Sequence, residues 1–276
     1  MKGFSGSCVG LAALLVVAAA GIGAQAQAQA AEQRDFCADR PGIGTPACTM
    51  NPGRVQLELG LGDWAREKDA ATRTDSVELG EVLVRVGVTG STEAQIGWTA
   101  FGHVREKDRI TGVVSKDSGV GDVTLAIRQN LRNPDGSGFS AAVMPYVTLP
   151  SGGSAIGADD WGAGALLPLS FDLGSGLSLE AMGEMDAAVD EDRDGRHLAY
   201  GGVLGVGFDL SQTVSAMFEI SMLRDNDPTG HATEALSGLS LAWQPSGNMQ
   251  VDIGTNVGLN HDSLDSEVYL GISRRF

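Results

Sequence analysis

Hydrophobic and polar residues alternate along most of the chain from residue 54 onward. In residues 54–61, Val and Leu occupy every second position, and Arg, Gln, Glu and Gly stand between them. A period of two places the two sets on opposite faces of a β-strand. The alternation recurs in segments 82–88, 93–100, 122–128, 177–186, 197–209, 214–222, 239–243, 251–257 and 268–276. With the less regular segments 139–149 and 161–173, the pattern predicts about twelve strands.

Segment length and connection length together indicate a membrane barrel. The segments have about ten residues, and a tilted strand needs about 9–11 to cross a bilayer. Short connections rich in turn residues alternate with longer charged ones, at 63–76, 102–118, 151–160, 190–197, 224–234 and 260–267. We therefore predict an all-β fold, a transmembrane antiparallel up-and-down β-barrel of about 12 strands over residues 53–276. The alternative is a soluble β-sandwich, whose apolar faces would need a second sheet to cover them.

The first 30 residues have the features of a signal peptide. Lys2 precedes an apolar run at residues 9–22, and the Ala-Gln repeat at 24–30 offers small residues for cleavage after Ala30. The alternative is a membrane anchor, but a run of about fourteen residues is shorter than the roughly 20 that a spanning helix needs. We therefore predict export and a location in the outer membrane of a Gram-negative cell, with both chain termini on the periplasmic side.

Residues 31–52 form a predicted N-terminal periplasmic segment. Cys37 and Cys48 lie eleven positions apart, and in an oxidising compartment such a pair favours a disulfide. Two free thiols and a metal site are the weaker alternatives. A plug at the periplasmic mouth, formed by residues 36–51, is a further hypothesis that no individual residue supports.

Composition changes the picture in two respects. The chain has 276 residues, 39 of them Gly, a mean hydropathy near zero and a formal net charge of −16. Near-zero hydropathy is typical of soluble domains, but it also results from averaging a lipid-facing surface with a polar interior and charged loops. A chain with this negative charge is not expected to bind nucleic acid. Glycines at inward positions, such as Gly60, Gly87, Gly97, Gly201 and Gly205, favour some open space in the lumen.

Several segments resemble a known family. They are ADRPGIGTPACTMNPGRVQLELG, ELGEVLVRVGVTGSTEAQIGW, SGVGDVTLAIRQNL and MPYVTLPSGG, and they are similar to the outer-membrane transporter-like proteins of the MetA-pathway phenol-degradation family. The resemblance implies an outer-membrane barrel that transports small, often aromatic, compounds. The terminal Phe276 on an amphipathic last strand also resembles the signature that barrels present to the barrel-assembly machinery, although Arg274 departs from the usual apolar residue.

The polar face of the predicted strands should line the lumen. Acidic residues outnumber basic ones there, which favours the passage of cations over anions. Whether these charges surround an open pore or pair with each other in a plugged barrel stays open at this point. The candidate lumen residues are Arg54, Glu58, Arg85, Glu93, Asp122, Arg128, Glu180, Glu184, Asp186, Glu219 and Asp252.

Two further kinds of site are less strongly supported. His103, His197, His231 and His261 all fall in or beside the predicted outer loops, but no recognisable motif places a Ser or Asp with one of them, so we expect no enzyme. The sequence DEDRDG matches half of a calcium loop and makes Asp190, Asp192 and Asp194 candidate metal ligands. A solvated acidic loop is the simpler interpretation, because Gly201 stands where a bidentate Glu is required.

The predicted function is passive passage of small solutes, including hydrophobic or aromatic compounds, without a cofactor. The expected partners are outer-membrane lipids and lipopolysaccharide, the assembly machinery and the solute. The alternative is a closed barrel with a structural, adhesive or signalling role, and an outer-membrane hydrolase is the least supported class.

Overall fold

The computed structural model describes residues 33–192 and 194–276, so the predicted signal peptide lies outside the described residues. Thirteen strands cover most of the described chain. They are β1 (Val55–Lys68), β2 (Thr72–Gly87), β3 (Thr92–Asp108), β4 (Val114–Gly119), β5 (Val123–Arg132), β6 (Phe139–Leu149), β7 (Gly162–Gly174), β8 (Leu177–Val189), β9 (Arg196–Asp209), β10 (Val214–Asp225), β11 (Ala232–Ser246), β12 (Met249–Gly258) and β13 (Ser266–Arg275).

The strands form a closed antiparallel barrel. Consecutive strands pair from β5 to β13 and from β1 to β3, and β13 pairs with β1 to close the sheet. The first part of β3 pairs with β5, and its last part pairs with β4. Strands β4 and β5 therefore occupy one position in the wall, which makes the barrel twelve-stranded and confirms the predicted fold.

The two ends of the barrel differ. The end that carries Phe276 and the short connections is called the turn end, and the opposite end is called the loop end. Two of the predicted long loops, 63–76 and 102–118, are wrong in extent, because β1, β2, β3 and β4 continue through most of them. Strand pairing depends on backbone hydrogen bonds, so the strands can continue beyond the segments in which apolar and polar residues alternate.

A local irregularity in β1 and β2 keeps polar residues facing inward near the loop end. The register of β1 shifts between Gly60 and Gly62, and Gly80 in β2 has a φ of 69°, a conformation that favours glycine. Beyond this bulge, Leu79 faces outward and is 43% exposed, whereas Glu78 lines an interior cavity. A bulge reverses which residues face inward, as expected for an extra residue in a strand.

The two faces of the wall have opposite chemistry. Large apolar side chains are exposed on the outer face, including Leu57, Ile96, Ile127, Leu204, Phe218, Leu239, Ile253 and Leu270. The fully buried large side chains are mainly polar or charged, including Gln56, Glu58, Arg85, Glu93 and Arg128. This arrangement inverts that of a soluble protein and is typical of a barrel whose outer face contacts lipid. In the described part of the chain, no helix has the length and apolarity to cross a membrane.

Candidate functional site

Residues 33–52, here called the insert, lie inside the turn end of the barrel. Four consecutive residues of the insert, Ala47, Cys48, Thr49 and Met50, are at most 4% exposed. A disulfide joins Cys37 to Cys48, with the Cα atoms 6.6 Å apart. The predicted disulfide pair is therefore joined in the structure, and the segment predicted to precede the barrel occupies its lumen.

A network of buried charges fixes the insert to one side of the wall. The Asp39 carboxylate lies 2.9 Å from a guanidinium nitrogen of Arg85 and 2.8 Å from one of Arg128. Arg85 also contacts Glu58 at 3.1 Å and Glu93 at 2.9 Å. The two arginines and both glutamates have fully buried side chains, so each charge depends on its partners for stabilisation.

Burial of the Asp39 carboxyl group would by itself raise its pKa, because desolvation disfavours the charged form. The nearby charges of Arg128 and Arg85 outweigh that effect and lower the pKa of Asp39 to about 2. Asp39 is therefore ionised at neutral pH and acts as the anion that links the two arginines.

Wall carboxylates also accept hydrogen bonds from the backbone of the insert. The amides of Asp39 and Arg40 donate to Glu58 at 3.0 Å. The amides of Ile43 and Gly44 donate to Glu219 at 2.8 Å. The insert has no sheet of its own, so these contacts satisfy backbone donors that would otherwise be buried without partners.

Inward-facing glycines make room for the insert. A side chain at Gly271 would overlap the guanidinium group of Arg40, and one at Gly87 would overlap the carbonyl oxygen of Asn51. A Cβ at Gly60 would approach the Arg40 guanidinium to 3.2 Å. The interpretation that inward glycines favour open space is therefore wrong at Gly87, where the insert fills that space, whereas Gly60 also lines a cavity of about 210 Å³.

The opposite side of the interior contains cavities. One of about 230 Å³ lies between the insert and strands β8 to β12, where Ser178, Glu180, Ser240 and Gln250 line it. A second cavity of about 410 Å³ lies at the turn end and shares Phe36 and other lining residues with the first. The insert therefore fills the lumen unevenly.

Arg40 lies where the remaining interior cavities meet. It lines the cavity of about 230 Å³ and two more, of about 360 and 210 Å³, toward the loop end. Its guanidinium group lies 2.9 Å from Glu81, 3.3 Å from Asp252 and over the ring of Tyr269. The two loop-end cavities also share three carboxylates, those of Asp63, Glu81 and Glu267.

The predicted lumen residues fall into separate groups. Glu58, Arg85, Glu93, Arg128, Glu219 and Asp252 contact the insert, and Glu180 lines the cavity beside it. Asp186 accepts a hydrogen bond from Tyr146, and Glu184 lies on the same strand, β8. Asp122 accepts bonds from the amides of Gly152 and Ala158 in the β6–β7 connection. Arg54 is exposed at the turn end, one residue before β1.

The predicted metal ligands do not come together as the sequence suggested. Asp190 is buried beside His197 and Asp227, whereas Asp192 and Asp194 are exposed, with the Asp194 amide bonded to the Asp192 carboxylate. Asp227 belongs to the β10–β11 connection, so no local motif could have paired it with Asp190.

Two other histidines pair with neighbouring polar side chains. The Nδ1 atom of His103 lies 2.7 Å from the hydroxyl of Ser118, across the exposed β3–β4 hairpin. His261 is 92% exposed and lies 3.0 Å from Asp262. Sequence reasoning missed the His103 pair because the two residues lie fifteen positions apart, within a predicted loop that instead forms paired strands.

Sequence reasoning also missed Asp39 and Arg40. Both lie in a segment without periodicity, and their partners lie on strands far away in the sequence. The only available signal was the short disulfide loop that encloses them.

Comparisons with known proteins agree with the barrel fold. The β domain of the Bordetella autotransporter BrkA is 13% identical, covers 82% of this chain and 100% of its own length, and has a TM-score of 0.52. The translocator domain of the autotransporter NalP from Neisseria meningitidis is 14% identical, with coverages of 82% and 89% and a TM-score of 0.50. The NanC porin is 9% identical, with coverages of 80% and 98% and a TM-score of 0.50. At such identities the likeness concerns the fold alone.

A search among curated proteins found no match. The family described as "Putative MetA-pathway of phenol degradation" matches residues 38–276. The matched region contains all thirteen strands of the described chain and most of the insert, and it agrees with the resemblance found in the sequence. The chain belongs to this family.

Proposed function

We propose that the protein is an outer-membrane channel for passive passage of small solutes, with the insert as a fixed constriction. The proposal rests on a series of cavities that begins beside the insert along β8 to β12 and continues past Arg40 to β1, β2 and β11 to β13 near the loop end. These cavities share lining residues from the turn end, past Arg40, to the carboxylates near the loop end. A solute would pass between the insert and strands β8 to β12, and then past Arg40 along β1, β2 and β13.

The location in the membrane is supported by the outer face of the barrel. Leu, Ile, Val, Phe and Trp side chains are exposed around the wall, and in water such a surface would drive association. Aromatic residues such as Trp243 and Phe276 lie near the turn end and Trp161 near the loop end, as in barrels that contact both interfaces of a bilayer.

The cavity dimensions and charges limit the class of solute. Cavities of about 210 to 410 Å³ hold only small molecules. Glu81 and Glu267 disfavour anions, because like charges repel strongly where little water is present to screen them. We propose small cationic or neutral solutes, aromatic ones included. The aromatic part of this proposal rests on the description of the family.

Single-channel recording on the refolded protein in a planar bilayer tests the proposal. We expect discrete conductance events and a reversal potential that shows cation selectivity in a salt gradient. Uptake into liposomes should be faster for phenyltrimethylammonium than for benzenesulfonate, which carry opposite permanent charges on the same ring. Protein-free liposomes give the background rate.

A variant of Arg40 tests whether this residue of the insert limits passage. Arg40→Ala removes the guanidinium group between the cavities, and we expect higher conductance and stronger cation selectivity. Arg105→Ala is the matched control, because Arg105 lies on β3 near the loop end and its side chain is 36% exposed. If neither the wild-type protein nor Arg40→Ala gives channel events or uptake, the barrel is closed and its role is structural, adhesive or signalling.

A further inference from the structure

A buried histidine near the loop end is surrounded by carboxylates. The side chain of His197, at the start of β9, is 5% exposed. Asp190, in the β8–β9 connection, and Asp227, in the β10–β11 connection, are 7% and 8% exposed. One ligand atom from each of the three residues lies within 4.8 Å of the others.

The two ring nitrogens of His197 face different carboxylates. Nδ1 lies 2.9 Å from Asp190 and 3.4 Å from Asp227, and Nε2 lies 2.8 Å from Asp225. A neutral imidazole has one nitrogen without a proton, and that nitrogen would repel a facing carboxylate. The arrangement therefore requires either a doubly protonated ring or a cation on one side of it.

Two neighbouring arginines that the structure describes direct their charges elsewhere. The Arg196 guanidinium pairs with Asp160 at 2.9 Å, and the Arg224 guanidinium bonds to Asn226 and Thr233. Among the described residues, the cluster of Asp190, Asp225 and Asp227 around one imidazole therefore carries an excess of negative charge.

Asp227 is held in place by hydrogen bonds. Its carboxylate accepts them from the hydroxyl and amide of Thr229 and from the amide of Glu191. A carboxylate fixed by three donors loses little freedom when it binds an ion.

We propose that Asp190, His197 and Asp227 bind a divalent transition-metal ion of the Zn²⁺ type, with Nδ1 of His197 as the imidazole ligand. One imidazole and two carboxylates form a mixed nitrogen and oxygen ligand set that suits Zn²⁺ and leaves a fourth position for water. Ligand atoms about 2.1 Å from a tetrahedral ion lie about 3.4 Å apart, so the three groups need to move by only about an ångström.

Asp225 has a separate role in this site. A metal-bound histidine commonly donates its other ring N–H to a carboxylate, which fixes the tautomer and strengthens the ligand. The Asp225 carboxylate lies 2.8 Å from Nε2 and would accept that bond after a small rotation of the ring, so it is a positioning residue. The bound ion would join the β8–β9 connection to the β10–β11 connection, independently of any passage through the lumen.

The test is a calorimetric titration of Zn²⁺ into the untagged, chelator-treated barrel refolded in detergent. We expect one ion per chain, abolished by His197→Gln. Asp225→Asn should weaken binding by about 10-fold to 100-fold, the effect of losing a carboxylate behind a ligating histidine. Co²⁺ in place of Zn²⁺ should give a visible absorption band that disappears in His197→Gln. Heat-modifiable migration on a gel shows that each variant is folded.

Two control variants make the result specific. His261→Gln removes an exposed histidine that also lies beside an aspartate, and it should leave Zn²⁺ binding unchanged. The double variant Asp192→Asn/Asp194→Asn should also leave it unchanged. The proposal is overturned if the protein binds no Zn²⁺. It is also overturned if His197→Gln binds as the wild type does, or if the double variant removes the site.

Discussion

The two sides of the barrel interior differ in how they meet the insert. On the side of β1, β2, β3 and β5, buried side chains of the wall contact the insert through paired charges and hydrogen bonds. On the side of β8 to β12, a cavity separates much of the insert from the wall, and Glu219 of β10 is a charged contact across it. One side holds the insert, and the other leaves space beside it.

Charged residues on the polar face of a barrel strand therefore serve two purposes. Arg85, Arg128 and Glu93 neutralise one another and Asp39, so they contribute little to the field that a solute experiences. Charged groups that line the open cavities, such as Glu267 and Arg40, contribute to that field. A count of acids and bases along the strands cannot separate these two sets.

The largest expected effect on stability comes from breaking the buried charge network on the side of the wall that holds the insert. Arg85→Ala removes the cation that contacts Asp39, Glu58 and Glu93 and leaves buried carboxylates without a partner. We expect a loss of about 3–5 kcal/mol in the free energy of unfolding, measured by urea titration of the refolded barrel. Arg105→Ala, which breaks a partly exposed pair with Asp75, should cost about 1 kcal/mol or less. Equal losses in the two variants would contradict a central role for Arg85.

The disulfide should make the second-largest contribution to holding the insert. Cys37 and Cys48 are separated by eleven positions, and closing a loop of that size in the unfolded chain stabilises the folded state by about 3 kcal/mol. Cys37→Ala/Cys48→Ala should therefore lower the urea midpoint while the barrel still forms. Reductant should shift the wild-type midpoint similarly and leave the double variant unchanged. A reductant effect on the double variant would show that another cause is responsible.

A smaller effect is expected where the wall makes room for Arg40. Gly271→Ala places a methyl group where the guanidinium group lies, and overpacking of this kind costs about 1–3 kcal/mol. Displaced Arg40 should also change the channel conductance. Gly97→Ala is the control, because the nearest atoms to its added methyl group lie 3.9 Å away. If Gly271→Ala matches Gly97→Ala in both stability and conductance, Arg40 does not occupy this position in the membrane.

The barrel could be predicted because a lipid-facing surface imposes a strict alternation on the strands, as in residues 54–61. The extension of β1 and β2 beyond that surface could not be predicted, because paired strands in water tolerate charged side chains such as Arg66 and Asp75. The insert has no alternation at all. Its position depends on contacts such as the one between Asp39 and Arg128, 89 positions apart.

The candidate sites could likewise be predicted only in part from the sequence. Glu58, Arg85 and Glu93 could be assigned to the interior from strand period alone, but their partner Asp39 could not. At the loop end, Asp190 was found within a local motif, whereas His197 and Asp227 join it only through the pairing of β8, β9 and β10. Local sequence identifies which residues face inward or outward, and the strand register decides which of them meet.

The smallest expected effect is the pH dependence of the stability that the Asp39 carboxylate contributes. The pKa of Asp39 is about 2 in the folded protein, below the value of about 3.9 for an unperturbed aspartate. A lowered pKa stabilises the folded state fully above the unfolded value, and the stabilisation is lost as the pH falls toward the folded value. The difference in unfolding free energy between wild type and Asp39→Asn should therefore shrink by about 2 kcal/mol or less between about pH 4 and pH 2. Urea titrations at several pH values across this window measure it. A constant difference would mean that Asp39 does not bridge Arg85 and Arg128, and that other contacts, such as those of the backbone to Glu58 and Glu219, hold the insert.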